Sequence, residues 1–174
     1  TLFLYRSLLV IIARIFGGHF SRRILFRHIN DIGEYDLAIS YSQDVRWNSI
    51  STGCNQFVIE KTKALYKAAF IHCDYEHFGG YDKRQILDYQ QFDSIVCVSN
   101  SCSSSFAKMF PALSDKCVVC ENFTNTEEIY NKLEMGSREY KQNVVTFSTV
   151  CRLGEEKGIE RAVYVFGRLL SEGY

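Results

Sequence analysis

Neither sign of charge prevails in this sequence: 20 Lys and Arg face 20 Asp and Glu, a formal net charge of zero. A dedicated nucleic-acid binder carries an excess of Lys and Arg to neutralise phosphates. No nucleic-acid partner is therefore expected. A Gly-rich GxGxxG loop, a Walker-type phosphate loop, a low-complexity tract and an internal repeat are all missing, which sets aside the usual dinucleotide fingerprint, the P-loop hydrolases and the solenoids. Long apolar runs are missing too. The strongest candidate, TLFLYRSLLVIIARIF at residues 1–16, is interrupted by Arg6 and Arg14 and falls short of the roughly 20 residues a membrane-spanning helix needs. It also has no small-residue cleavage site of the kind that ends a signal peptide. What remains is an amphipathic helix that belongs to a core or lies against a membrane surface.

The chain of 174 residues, 47% apolar and 14% aromatic, has an ordinary globular composition and enough length for one sizeable core or parts of two. Seven cysteines are an odd number set mostly within apolar runs, which reads as reduced, buried thiols of a cytoplasmic protein rather than a disulfide framework. Cys117 and Cys120 have CxxC spacing inside a strand-like run. Side chains three apart on a strand point to opposite faces, so the pair is expected to pack rather than to chelate a metal.

Apolar runs at residues 35–43, 67–75, 92–100 and 115–122 read as strands. They are continuous rather than alternating, and helix-length segments separate several of them, the pattern of a parallel sheet covered on both faces. Residues 46–64 read as partly helical. A helix capped in the Ser99–Ser105 region ends near Phe110-Pro111, at the single proline. The polar stretch at 124–142, with a short helix near 127–133 and then Met135-Gly136-Ser137, is the candidate hinge between domains.

The segment VCRLGEEKGIERA, residues 150–162, follows a β-branched run at 144–150 and precedes Ile159, Ala162, Val163, Phe166 and Leu170 at helical spacing. This reads as strand, tight loop and helix. Such a junction offers unpaired helix N-terminal N–H groups to phosphates. Arg152 and Lys157 lie five apart across the loop and can converge on one diphosphate. The alternative is a solvated Arg and Lys paired with Glu155, Glu156 or Glu160.

Read together, FDSIVCVSNSCSSSFAKMF, DKCVVCENFTNTEEI and NVVTFSTVCRLGEEKGIERAVYVFGRLL resemble the central stretch of a family 4 glycosyltransferase of the GT-B fold. The likeness covers roughly the last 80 residues. Val98-Ser99, Asn122, Arg152-Leu153 and Lys157-Gly158 occupy the places of that family's motifs, with Cys151 where a Gly often precedes the Arg. The resemblance implies an α/β architecture holding parts of two Rossmann-like domains. These are a partial acceptor-side domain at 1–123, a linker at 124–142 and, at 143–174, the start of a nucleotide-sugar domain.

It further implies an enzyme that transfers a sugar, with retention, from a nucleotide-diphosphate donor to a glycan or lipid-linked acceptor, without a bound cofactor or metal. Arg152 and Lys157 would neutralise the donor diphosphate. Ser99 and Asn122 would border the hinge and cleft. The Glu-x7-Glu element of the family is expected downstream of these residues, and the chain by itself is expected to be inactive.

FIHCDYEHFGGY is similar to that family's first-domain strand ending in His, which would set His72 over the cleft in contact with the sugar or the acceptor. His72, Asp74, Glu76 and His77 can also be read as a metal site or as plain loop polarity. Arg22, Arg23 and Arg27, beside the apolar N-terminal helix, either seat the domain on an anionic membrane at its cytoplasmic face or are ordinary solvated helix residues. Two rivals are a non-catalytic α/β ligand-binding module and a phosphate-ester hydrolase. Neither an acidic strand-end cluster nor a metal-binding Asp pair is visible to support them.

Overall fold

The computed structural model describes residues 2–44, 48–78, 82–134 and 145–173. Strands β1 (Glu34–Ser40), β2 (Lys63–Ile71), β3 (Ser94–Cys97) and β4 (Cys117–Val119) form one sheet in the order β1-β2-β3-β4, with every neighbouring pair parallel. The helices are α1 (Leu2–Phe16), α2 (Gly18–Phe26), α3 (Cys54–Lys61), α4 (Ile86–Tyr89), α5 (Asn100–Met109), α6 (Thr126–Glu134) and α7 (Ile159–Ser171). This is the expected α/β class with a parallel, Rossmann-like sheet. The chain divides into two compact units, Thr1–Thr124 and Asn125–Tyr174. The sheet and α1 to α5 lie in the first unit, α6 and α7 in the second.

The strand order decides which face is covered. Parallel crossovers are right-handed, and when strands follow one another in a single direction every crossover lands on the same face of the sheet. On that face Ala38, Ala69, Ile71, Ile95 and Cys97 are buried against Val58 of α3 and Cys102 and Phe106 of α5. On the opposite face Tyr35, Leu37 and Ile39 of β1, Tyr66 of β2 and Val118 of β4 are exposed, while Ala68 and Val96 at its centre are buried. The expectation of a sheet covered on both faces is therefore corrected for the first unit: its helices α3 and α5 pack on one face. Continuous apolar runs cannot tell one covered face from two.

Beneath the covered face, Tyr75, Tyr89, Phe106 and Phe110 form an aromatic cluster. Phe106 meets Tyr75 at a centroid separation of 5.1 Å and 77°, and Tyr89 at 5.1 Å and 84°. These are the edge-to-face geometries that the ring quadrupole favours. The Tyr75 hydroxyl donates to Gln85 Oε1 at 2.7 Å, so its polar tip is satisfied within the core.

α1 buries Leu9 and Ala13, while Phe3, Leu4, Leu8, Ile11, Ile15 and Phe16 stay exposed. The helix thus shares one narrow stripe with the core. No helix of the described residues is long and apolar enough to cross a membrane. The thiols also divide more evenly than the sequence implies: all seven are free, Cys97 and Cys102 buried, Cys54, Cys120 and Cys151 exposed.

The second unit departs from expectation at its first element. Val144 and the Met135-Gly136-Ser137 part of the hinge lie outside the described residues, and residues 145–150 form no strand. Val145, Phe147 and Val150 are exposed at 79, 67 and 99%. A β-branched run becomes a strand only beside a partner that accepts its ladder hydrogen bonds, and no strand of the described residues pairs with it. α7 forms as expected at Ile159–Ser171, and Phe166 packs on Phe147 at 4.7 Å between ring centroids.

Candidate functional site

Loops at the carboxyl ends of parallel strands gather polar groups, because the strand backbones end there and the side chains that follow face outward together. In the first unit His72 directly follows β2. Its backbone N–H donates to Gln43 Oε1 at 2.7 Å, and its Nε2–H donates to the Tyr41 carbonyl at 2.8 Å. A carbonyl only accepts, which assigns the proton to Nε2 and leaves Nδ1 as the acceptor. The ring lies 4.6 Å from Tyr41 and 5.7 Å from Phe70. His72 thus stands half-buried at the carboxyl edge of the sheet, oriented by the loop after β1.

Two residues on, Asp74 accepts from Ser105 Oγ at 2.5 Å and from His77 Nδ1–H at 2.8 Å. The Ser105 hydroxyl and then His77 stabilise the carboxylate, holding Asp74 down to about 2. Glu76 pairs with Lys108 of α5. These contacts tie the β2 loop to α5. Among the described residues no three His, Cys, Asp or Glu side chains converge to hold a metal ion.

Ser99 caps α5: its side chain accepts from the Cys102 N–H at 3.2 Å. That hydroxyl serves the helix. Ser99→Ala is expected to lower stability by about 1 kcal/mol, read as a drop in thermal midpoint without change in the fold. Asn122 is exposed on the segment after β4, just before the division between the units.

A second polar group lies between α2, α3, α4 and the loop after β1. Arg22, expected at the surface, is 4% exposed, which removes it from any membrane-facing patch. Its Nε donates to Gln56 Oε1 at 2.8 Å and Nη1 to the Ser49 carbonyl at 2.7 Å. Burial pulls the guanidinium below its ordinary value, against the opposing fields of Asp44, Asp88 and Glu60. Gly53 makes the passage: a Cβ there would stand 2.3 Å from Arg22 Cδ, and its φ of +139° is strained for other residues. Arg23, by contrast, remains exposed and pairs with Glu60 at 2.9 Å.

Asp44 is 2% exposed. Desolvation dominates its titration and pushes it up to about 6, opposed by Arg22 and by the Gly53 N–H. Its Oδ1 has no hydrogen-bond partner. Nearby, His19 Nε2–H donates to Asp88 Oδ2 at 2.6 Å, with Asp88 nearly buried. Together these groups line a cavity of about 180 Å³.

In the second unit Arg152 and Lys157 share one loop. The Gly154 N–H donates to the Arg152 carbonyl and the Lys157 N–H to the Gly154 carbonyl, each at 2.9 Å. These turns bring the chain to Gly158, whose φ of +64° starts α7. Arg152 is highly exposed and meets Glu156 at 3.4 Å, the solvated pairing that spacing allowed. A cleft of about 500 Å³ opens at the same loop, bordered by Gly154, Glu155, Gly158, Glu160 and Arg161. Arg161 escaped the sequence reading because it sits one helical turn beyond the Lys-Gly pair.

The Arg22 and Asp44 group was also missed. Its members come from four separate segments, and an Arg beside another Arg on a polar helix face carries no signal of burial. No protein-family model, curated protein or solved structure significantly matches the chain.

Proposed function

We propose that the chain is part of a glycosyltransferase that uses a nucleotide-diphosphate sugar, with the acceptor side on the first unit and the donor diphosphate on the loop of the second. The observation that carries this reading is that loop: Arg152, Lys157 and the first N–H groups of the 13-residue α7 lie on one short turn. A diphosphate leaving group develops negative charge as the sugar departs. Two cations and oriented N–H groups gathered on that turn would stabilise it. Arg152 would turn from Glu156 to the phosphate, a small loss because an exposed pair contributes little.

On the first unit, His72 supports the acceptor role. Its Nε2 proton is committed to Tyr41, leaving Nδ1 to accept a hydroxyl proton or to orient the sugar. The acceptor would be a glycan or a lipid-linked glycan. The exposed apolar side of α1, with Arg6 and Arg14, would give peripheral contact with the cytoplasmic face of an anionic membrane.

Calorimetric titration of UDP and of GDP into the protein tests the donor loop. One of them should bind, and Arg152→Ala and Lys157→Ala should each weaken that binding by about tenfold, the effect of losing one charge-assisted hydrogen bond. Equal binding by both variants, or none by the parent, would return the loop to ordinary surface polarity.

A further inference from the structure

The cavity between α2, α4 and the loop after β1 has no part in the donor reading, yet it holds groups in an unusual state. Arg22 is a buried guanidinium that donates from Nε and Nη1 to neutral oxygens. No carboxylate lies within ion-pair distance of it among the described residues. Asp44, more than nine-tenths buried, lines the same cavity with Oδ1 lacking any donor. A buried acceptor left unmet carries a desolvation penalty. That penalty would be relieved by a ligand hydroxyl that donates to Asp44 while accepting from the neighbouring guanidinium.

We infer that this cavity binds a hydroxyl-rich ligand the size of a single sugar ring, with one hydroxyl accepting from the Arg22 guanidinium and donating to Asp44 Oδ1. The wall chemistry separates this class from its competitors. A small anion would suit Arg22 and Arg84 but face Asp44 and Asp88, and a cation would suit the carboxylates but face the two guanidiniums. A metal ion lacks a set of three ligands among the described residues. A hydroxyl, being donor and acceptor at once, matches both signs.

At about 180 Å³ the space is below the ~300–1,000 Å³ typical of sites for drug-sized ligands, which excludes a whole nucleotide. Leu87, 63% exposed at the rim, supplies an apolar surface for the C–H face of a ring. Gly53 keeps the guanidinium in place, since any Cβ there would collide with it. Gln85 fixes the loop by donating from Nε2 to the Asp44 carbonyl at 3.2 Å.

The site does not depend on the loop of the second unit, and the experiment separates the two. The ¹⁵N-labelled protein is titrated with methyl α-D-glucopyranoside, methyl α-D-mannopyranoside and methyl α-D-galactopyranoside, each to about 50 mM, a range that captures millimolar affinity. At least one should give saturable shifts at Gly53, Asp88 and the His19 ring. Asp44→Asn keeps the shape and should weaken binding about tenfold or more. Leu87→Ala, at an exposed position that folding does not need, should weaken it severalfold. Weakening in either variant sustains the inference. Absence of saturable shifts with all three glycosides, or binding unchanged in both variants, overturns it. UDP titrated alone reports on the donor loop, so its failure to bind leaves this site standing.

Discussion

Between pH 5 and pH 7 this protein is expected to become less stable as pH rises, and Asp44→Asn to remove most of that slope. The sign follows from burial. Asp44 titrates at about 6 in the fold against an ordinary 3.8, so the folded state holds the proton more tightly than the unfolded one. Below pH 3.8 the group is neutral in both states and contributes no penalty. Above that, the unfolded chain ionises freely while the folded chain must keep a charge in a site that is 2% exposed. The penalty grows through pH 6 and levels at about 3 kcal/mol, of which about 1 kcal/mol develops between pH 5 and 7. Arg22 offsets part of it but stands outside ion-pair distance.

Urea midpoints at pH 5 and 7 for the parent and for Asp44→Asn measure the effect. Parallel slopes in the two proteins would show that Asp44 is solvated in solution. The pH window avoids the opposing influence of Asp74 and Asp82. Their hydrogen bonds lower their titration, so they cost stability only on further acidification.

Phe106→Ala should cost about 4 kcal/mol of stability in urea unfolding. Phe106 is fully buried and touches Tyr75, Tyr89 and Phe110 at once. Truncation removes transfer energy and three ring contacts, and the rigid neighbours cannot collapse into the space. Leu65→Ala, at a position 84% exposed in β2, should change stability by less than about 0.5 kcal/mol. Comparable losses at both positions would mean that the cluster is not the structural centre of the first unit.

The four strands of the first unit were legible because each is an apolar run bounded by polar or turn residues. Their ends were not: β2 begins at Lys63, four residues before the run KAAFIHCDY suggests, since pairing with β1 from Glu34 onward recruits the mixed stretch KALY. His72, Ser99, Arg152 and Lys157 were singled out from their places after strands and before helices, and the hydroxyl of Ser99 proved to be occupied by the helix it starts. The strand expected at 144–150 was a reading of composition alone, and composition does not supply a neighbour.

What the sequence determines by itself is local: which stretches are apolar enough to be strands, where Ser99 starts a helix, and how a loop of Arg, Lys and Gly precedes α7. Each of these depends on residues within a few positions of one another. The tertiary structure decided the rest. The order β1-β2-β3-β4 put the crossovers of the first unit on one face and left Tyr35, Leu37 and Ile39 exposed on the other. Contacts across 34 residues between Arg22 and Gln56, and the missing Cβ of Gly53, turned a helix-surface arginine into a buried one. Burial, and with it the perturbed Asp44 and the small polar cavity, depends on which distant segments meet, and no local pattern of residue types encodes that meeting.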